Sequence, residues 1–201
     1  ISQNPTAGTN VAPSSGVDLE ISSGPPAFLM GVQNDPKTGP LVNSLYRIRT
    51  DGVVTKIGDL SHRTQGLAVV GSILYSVEEQ TLSPHTGVLP NLYRVNPENG
   101  ATLSTIPLSL STGELLEGGR GLATEPGTNQ LWALLVVTSE VNSFRRLVTI
   151  NPTTGLATQK AKLPGNFMDL AFDSAGTLYA VADNRPVPGG STILPARLYT
   201  V

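Results

Sequence analysis

Hydrophobic residues in this chain come in short runs that are bounded by Gly, Pro, Asn and Asp. This pattern is typical of β-strands joined by turns, and it recurs over nearly the whole sequence. The longest clean apolar run, 131–137, is far shorter than the ~20 residues that a membrane-spanning helix needs. The hydrophobic pattern therefore predicts an all-β protein without a membrane span.

The predicted strands repeat in the same order four times along the chain. Equivalent leucines recur at 19, 67, 122 and 170. The first strands of the units are predicted at 16–21, 65–70, 120–125 and 168–173. The second strands are predicted at 27–32, 73–77, 131–136 and 177–181. The third strands are predicted at 45–48, 92–95, 146–150 and 198–201. A fourth strand follows in three units, at 53–60, 101–108 and 156–163.

A tight turn is predicted after the third strand, and its residues have clear roles. The segments 96–100 and 151–155 read Asn-Pro-Glu-Asn-Gly and Asn-Pro-Thr-Thr-Gly, and 50–52 reads Thr-Asp-Gly. The Asn side chain can accept a hydrogen bond from a later N–H group, and Pro presets φ at the next position. Gly then adopts the left-handed conformation that closes the hairpin.

Units of four short antiparallel strands, ~40–50 residues long, are typical of β-propeller blades. The LYxV-NPxTG pattern resembles the repeats of secreted bacterial propellers, including NHL-type and streptogramin-lyase-like proteins. We therefore predict one propeller domain over 1–201, made of four four-stranded antiparallel blades. The blades are predicted at about 14–60, 61–108, 109–163 and 164–201, the last completed by 1–13. The alternative is that these units are part of a longer ring.

The fourth unit has only three predicted strands, and residues 1–13 read as its missing turn and strand. This strand could close the ring within one chain, or it could be donated to a neighbouring chain and build a filament. Either arrangement makes the partner of the open blade this chain itself. The residues predicted to close the ring or to mediate assembly are Asn4, Pro5, Gly8, Thr9, Val11, Leu198, Tyr199 and Val201.

The amino-acid composition excludes several classes of function and favours one location. The chain has no Cys, which excludes disulfides, Cys-ligated metals and a Cys nucleophile. Its 13 Lys and Arg residues are scattered and its net charge is −2, so nucleic-acid binding is not expected. Low charge, the absence of Cys and many Thr, Ser, Asn and Gly residues favour a secreted protein. Any carbohydrate or protein ligand stays unidentified.

The candidate chemistry is limited. His62 and His85 are predicted to be exposed turn residues, and no Gly-x-Ser-x-Gly motif is present. The second strands end in polar residues, among them Glu78 together with Glu79, and in a ring these ends converge on one face. Oxygen ligands there would suit Ca²⁺, and six-bladed calcium-dependent lactonases use converging carboxylate and amide groups. The candidate metal residues are Asn34, Glu78 and Asp183; otherwise no cofactor is expected.

Two further sets of residues, each at equivalent positions of the repeated units, are interpreted as structural. Asp18 and Asp169 occupy the first-strand position that Gly fills in the other units, and Arg120 could pair with one of these acids. Large side chains at equivalent second-strand positions are expected to pack blade against blade. These blade-core residues are Met30, Tyr75, Trp132 and Tyr179.

The sequence thus predicts a non-catalytic extracellular propeller that acts as a structural, self-assembling or binding module. It is predicted not to be an enzyme. The alternative is a calcium-dependent hydrolase or lyase on a propeller scaffold, and it depends on the candidate metal residues.

Overall fold

The structure is a computed structural model. It describes residues 2–4, 18–20, 28–34, 43–79, 89–138, 144–183 and 197–201. The described residues form strands joined by turns, which confirms the all-β prediction. They contain no helix with the length and apolarity needed to cross a bilayer.

Four larger sheets follow one another along the chain, and nearly all neighbouring strands are antiparallel. A separate two-stranded sheet consists of β1 (Ser2–Asn4) and β2 (Asp18–Glu20). Sheet 1 consists of β3 (Phe28–Asn34), β4 (Asn43–Arg49) and β5 (Val54–Asp59). Sheet 2 consists of β6 (Thr64–Val70), β7 (Ile73–Glu78), β8 (Asn91–Val95) and β9 (Thr102–Pro107).

Sheet 3 has five strands, because the short β10 (Ser109–Leu110) runs parallel to the start of its outer strand. Its other members are β11 (Leu116–Thr124), β12 (Leu131–Val137), β13 (Phe144–Ile150) and β14 (Leu156–Pro164). Sheet 4 consists of β15 (Phe167–Phe172), β16 (Leu178–Ala182) and β17 (Arg197–Thr200). The end of β14 lies one residue beyond the predicted unit boundary at 163.

The turns between third and fourth strands form as their sequences predict. In sheet 2, Asn96 Oδ1 accepts from the Glu98 N–H at 2.8 Å, and the Gly100 N–H donates to the Asn96 carbonyl at 2.8 Å. In sheet 3, Asn151 Oδ1 accepts from the Thr153 N–H at 2.9 Å. Gly100 and Gly155 have φ values of 77° and 74°, the left-handed conformation that Gly adopts without strain.

The first strands of sheets 2, 3 and 4 lie side by side at very short separations. A Cβ atom on Gly66 of β6 would lie 2.6 Å from the backbone nitrogen of Leu122 in β11. A Cβ atom on Gly121 of β11 would lie 2.7 Å from the Cα atom of Asp169 in β15. The inner edges of the three sheets thus approach one another closely, as the blades of a propeller do around its centre.

Hydrophobic clusters fill the spaces between consecutive sheets. Leu45 and Val95 lie in the cluster between sheets 1 and 2, and Met30 packs against it. Tyr75 lies in the large cluster between sheets 2 and 3. Between sheets 3 and 4, Trp132 packs edge-on against Phe172 at 5.9 Å between ring centroids. The half-buried Tyr179 donates its hydroxyl hydrogen to Asp173 at 3.3 Å.

The N-terminal strands pair differently from the predicted arrangement. The segment 16–21 was expected to pair with 27–32, but β2 pairs with β1 and places Asp18 opposite Asn4. The loop between β2 and β3 is shorter than the loop between β1 and β2, so loop length does not account for this choice of partner.

The structure describes only part of the segments that are predicted to close the ring. Leu198 and Tyr199 lie in β17, and Val201 follows it; among the described strands β17 pairs with β16. Residues Pro5, Gly8, Thr9 and Val11 lie outside the described residues. Closure by residues 1–13 stays a prediction, as does the number of blades in the complete ring.

Candidate functional site

Polar side chains from three sheets collect at one end of the inner strands. The register pairs Thr64 with Glu78, Leu116 with Val137, and Phe167 with Ala182. Each first strand therefore begins where the second strand of the same sheet ends. Residues at these starts and ends lie at the same edge of their sheets.

Glu79 is the centre of a buried network at this edge. The residue is only 5% exposed, and its Oε2 atom lies 2.9 Å from Nη2 of Arg63. Its Oε1 atom lies 3.4 Å from Nη1 of Arg120 and accepts a hydrogen bond from Nε2 of Gln65. The Arg120 guanidinium also donates to Gln65 Oε1 at 3.0 Å. Glu79 therefore connects sheet 2 to the inner strand of sheet 3.

A second arginine is buried near the first. Arg145 is 4% exposed and donates to the carbonyl of Phe144 at 3.0 Å and to the side-chain oxygen of Asn166. Burial lowers the pKa of Arg145 to about 10, and the positive charge of Arg120 lowers it as well. Arg145 stays protonated at neutral pH, so two positive charges lie close together in a region of low dielectric.

Sheet 4 contributes the carboxyl group of Asp169, whose pKa is raised. Burial raises the pKa of Asp169 to about 6, although the hydrogen bond from the Leu170 N–H, at 2.9 Å, favours the charged form. The residue is nevertheless open to solvent. The backbone of the neighbouring strand β11 surrounds part of the Asp169 side chain, and solvent reaches the rest of it. Its backbone lies directly beside Gly121, the neighbour of Arg120.

We call this group of residues the mouth cluster. Its guanidinium groups bring positive charge to this edge, and it can exchange a proton at the Asp169 carboxyl, whose pKa is raised to about 6. The mouth cluster consists of Arg63, Gln65, Glu79, Arg120, Arg145, Asn166 and Asp169.

The candidate metal residues lie at or just after the ends of second strands, at the same edge of their sheets. The Glu78 Oε2 atom accepts hydrogen bonds from the backbone N and from Nδ2 of Asn91, both at 2.9 Å. Asp183 follows β16 and makes other contacts, and the side chain of Asn34 lies outside the description. Among the described residues, no three His, Asp or Glu side chains come together as metal ligands. Since the side chain of Asn34 is not described, the calcium site at Asn34, Glu78 and Asp183 stays a prediction.

The prediction that His62 is an exposed turn residue is wrong. His62 is 7% exposed and stacks on Tyr93 at 3.6 Å between ring centroids, and its Nε2 atom lies 2.6 Å from Oγ of Ser76. Burial lowers the pKa of His62 to about 4. Ser76 is fully buried, so substrate cannot reach this Ser–His pair. The other histidine, His85, lies outside the described residues.

Sequence reasoning identified only part of the mouth cluster. It singled out Asp169 and Arg120 from their position in the repeat, but it expected Arg120 to pair with Asp18 or Asp169. The structure places Arg120 against Glu79 of the preceding sheet. The roles of Gln65 and Arg145 follow no sequence motif, since only the packing of sheets brings them to this edge.

Comparison with known proteins supports the fold. No protein-family model and no curated protein sequence matches the chain. Among solved structures, a luciferin-regenerating enzyme is similar, with a TM-score of 0.51 and 15% identity over 83% of this chain and 53% of that protein. The chain is also similar to a gluconolactonase from Xanthomonas campestris, with a TM-score of 0.44 and 21% identity over 74% of this chain and 44% of that protein. An auxiliary nutrient binding protein from Bacteroides ovatus has a TM-score of 0.47 and 14% identity over 77% of this chain and 36% of that protein.

The similarity to the luciferin-regenerating enzyme, together with the sheets described above, indicates a β-propeller-type fold. The chain spans about half the length, or less, of the solved proteins that it matches.

The prediction that this chain is not an enzyme is overturned by the comparison. The luciferin-regenerating enzyme, a solved structure that is similar to the chain, is named as an enzyme. Propellers host catalysts as well as binding modules, so the lack of a nucleophile motif is no ground for excluding catalysis.

Proposed function

We propose that this chain is a catalytic β-propeller of the hydrolase or lyase class, and that its reaction takes place at the mouth cluster. The observation that carries the proposal is the solvent-accessible Asp169, whose pKa is raised to about 6. A carboxyl with a pKa near the working pH can both accept and donate a proton, which is the property that general acid–base catalysis needs.

The remaining residues of the mouth cluster have complementary roles in this proposal. Arg120 and Arg145 are largely buried, so in this proposal their positive charge stabilises negative charge on a carboxylate or a carbonyl oxygen through space, without direct contact. Glu79 holds the Arg120 guanidinium in place from the side of sheet 2. The substrate class that fits is an anionic molecule with a reactive carbonyl group. Asp169 would take a proton from the attacking water in a hydrolase, or from the carbon beside the carbonyl group in a lyase.

The calcium-dependent form of this hypothesis depends on Asn34, Glu78 and Asp183. Because Glu78 is bound to Asn91, we derive no step through a metal ion. We also propose that the repeats are of the NHL or streptogramin-lyase-like type, on the basis of the turns at 96–100 and 151–155.

The test is the pH dependence of turnover on a panel of anionic lactones, esters and hydroxy acids. The proposal predicts a rate that changes with a midpoint near the pKa of Asp169, about 6. In Asp169→Asn this pH dependence disappears and the rate falls at least ~100-fold. The control is Asp51→Asn, which changes an exposed aspartate in the turn after β4. An unchanged rate in Asp169→Asn would refute the proposed site.

A further inference from the structure

Sheet 3 has a pocket at the end opposite to the mouth cluster. The pocket has a volume of about 350 Å³, and its walls come from the turn before β12 and from the hairpin of β13 and β14. This volume lies within the range of small-molecule sites, which starts at ~300 Å³. Since β12 begins at Leu131 and runs toward the mouth cluster, the two sites are at different ends of the sheet.

The turn that forms one wall is held in place by a carboxylate. Glu125 Oε2 accepts hydrogen bonds from the hydroxyl of Thr128 at 2.9 Å and from Nε1 of Trp132 at 3.3 Å. The backbone N–H of Asn129 donates to the Glu125 carbonyl at 3.1 Å. Asn129 has a φ of 56°, so its side chain starts from a left-handed backbone position that few non-glycine residues adopt. The wall is thus built before any ligand arrives.

The opposite wall presents two hydroxyl groups side by side. Thr149 of β13 and Thr158 of β14 are paired across the strands, and both line the pocket. Among the described residues, neither hydroxyl and no atom of the Asn129 amide side chain has a hydrogen-bond partner. Ile150, Pro152 and Leu156 supply apolar surface next to these polar groups.

Within the part of the chain that the structure describes, no acidic and no basic side chain lines the pocket. An anion would lose water here without gaining a cation, and a cation would gain no carboxylate, so a charged ligand pays a desolvation cost without compensation. A saccharide ring has hydroxyl groups at its edge and C–H groups on its faces, which matches hydroxyl and amide groups beside apolar surface. We infer that this pocket binds an uncharged saccharide, independently of the reaction at the mouth cluster.

The experiment is a titration of the isotope-labelled chain, followed by the amide resonances of residues 128–130 and 149–158. The probes are glucose, galactose and N-acetylglucosamine, their β-linked disaccharides, glucuronate and glucosamine. The inference predicts saturable shifts in these segments with neutral sugars at up to tens of millimolar, and weaker binding of the two charged sugars. A disaccharide that binds more tightly than its monosaccharide would identify a glycan chain, and equal affinity a free sugar.

Variants separate binding from stability. Thr149→Val and Thr158→Val keep the side-chain shape and should each weaken neutral-sugar binding ~5-fold or more. Asn129→Gly should weaken binding while it relieves the backbone strain. Thr105→Val makes the same exchange on β9 of sheet 2 and should bind like wild type. Absence of shifts with every neutral sugar, preference for a charged sugar, or wild-type binding by all three pocket variants would each overturn the inference.

Discussion

Two glycines on the inner strands provide a direct test of how the sheets pack. In Gly66→Ala the new Cβ atom would lie 2.6 Å from the Leu122 nitrogen and 2.9 Å from the Gly121 carbonyl carbon. In Gly121→Ala it would lie 2.7 Å from the Asp169 Cα atom. Ordinary contacts of a Cβ atom are 3.4 to 4 Å, so neighbouring strands would have to separate by most of an ångström. The obstructing atoms are mainly backbone, which cannot rotate away.

The expected cost is that of overpacking a well-packed interior, about 1–3 kcal/mol for each substitution. Neither glycine has a positive φ, so backbone strain does not contribute. The loss of unfolded-state entropy that accompanies Gly→Ala acts in the opposite direction by about 0.4–1 kcal/mol. The net prediction is a decrease in the free energy of unfolding of up to about 2.6 kcal/mol and centred near about 1.3 kcal/mol, measured by denaturant titration.

Gly31→Ala is the matched control. This residue lies in β3 and also has no positive φ, but among the described residues its new Cβ atom would meet only the end of the Ile48 side chain, at 3.3 Å. That atom can move by side-chain rotation, so the variant should be as stable as wild type or slightly more stable. If Gly66→Ala and Gly121→Ala were as stable as Gly31→Ala, the close side-by-side packing of the inner strands would be refuted.

Four further predictions concern pH, charge, metal and assembly. Because the folded-state pKa of His62 is lowered from 6.5 to about 4, the free energy of unfolding should be at its full value above pH 6.5 and fall by up to about 3 kcal/mol as the pH drops toward 4. Denaturant unfolding at several pH values should show this loss. An equal loss of stability between pH 6.5 and 4 in a His62→Phe variant would contradict the prediction. Glu79→Gln leaves Arg63 and Arg120 without their buried counter-charge and should lower the free energy of unfolding by about 3 kcal/mol, whereas an equal loss in the exposed Glu98→Gln would argue against a special role. Millimolar Ca²⁺ should leave the melting temperature unchanged, and a rise with Ca²⁺ would show that a calcium site exists. If residues 1–13 are donated to a neighbour, light scattering should detect assemblies that deletion of 1–13 abolishes; a monomer of 21.0 kDa would contradict strand donation.

Much of the local structure followed from the sequence because its causes are local. The Asn-Pro-x-x-Gly turns at 96–100 and 151–155 form through hydrogen bonds between residues a few positions apart and through one glycine with positive φ. Most strands of sheets 2 and 3 lie where the repeat predicts them, since a short apolar run between turn residues has few other stable states. The exceptions are β10, which is not predicted, and β11, which begins at Leu116 and not at 120. The all-β class follows from the same pattern.

Tertiary structure decided which polar residues meet. Glu78 and Glu79 are adjacent in sequence, yet Glu78 bonds to Asn91 within sheet 2, while Glu79 contacts Arg120 of sheet 3. His62 reads as a turn residue, but stacking on Tyr93 buries it. The raised pKa of Asp169 also comes from burial among packed strands. These outcomes depend on distances between residues far apart in the chain, and strand periodicity contains no information about such distances.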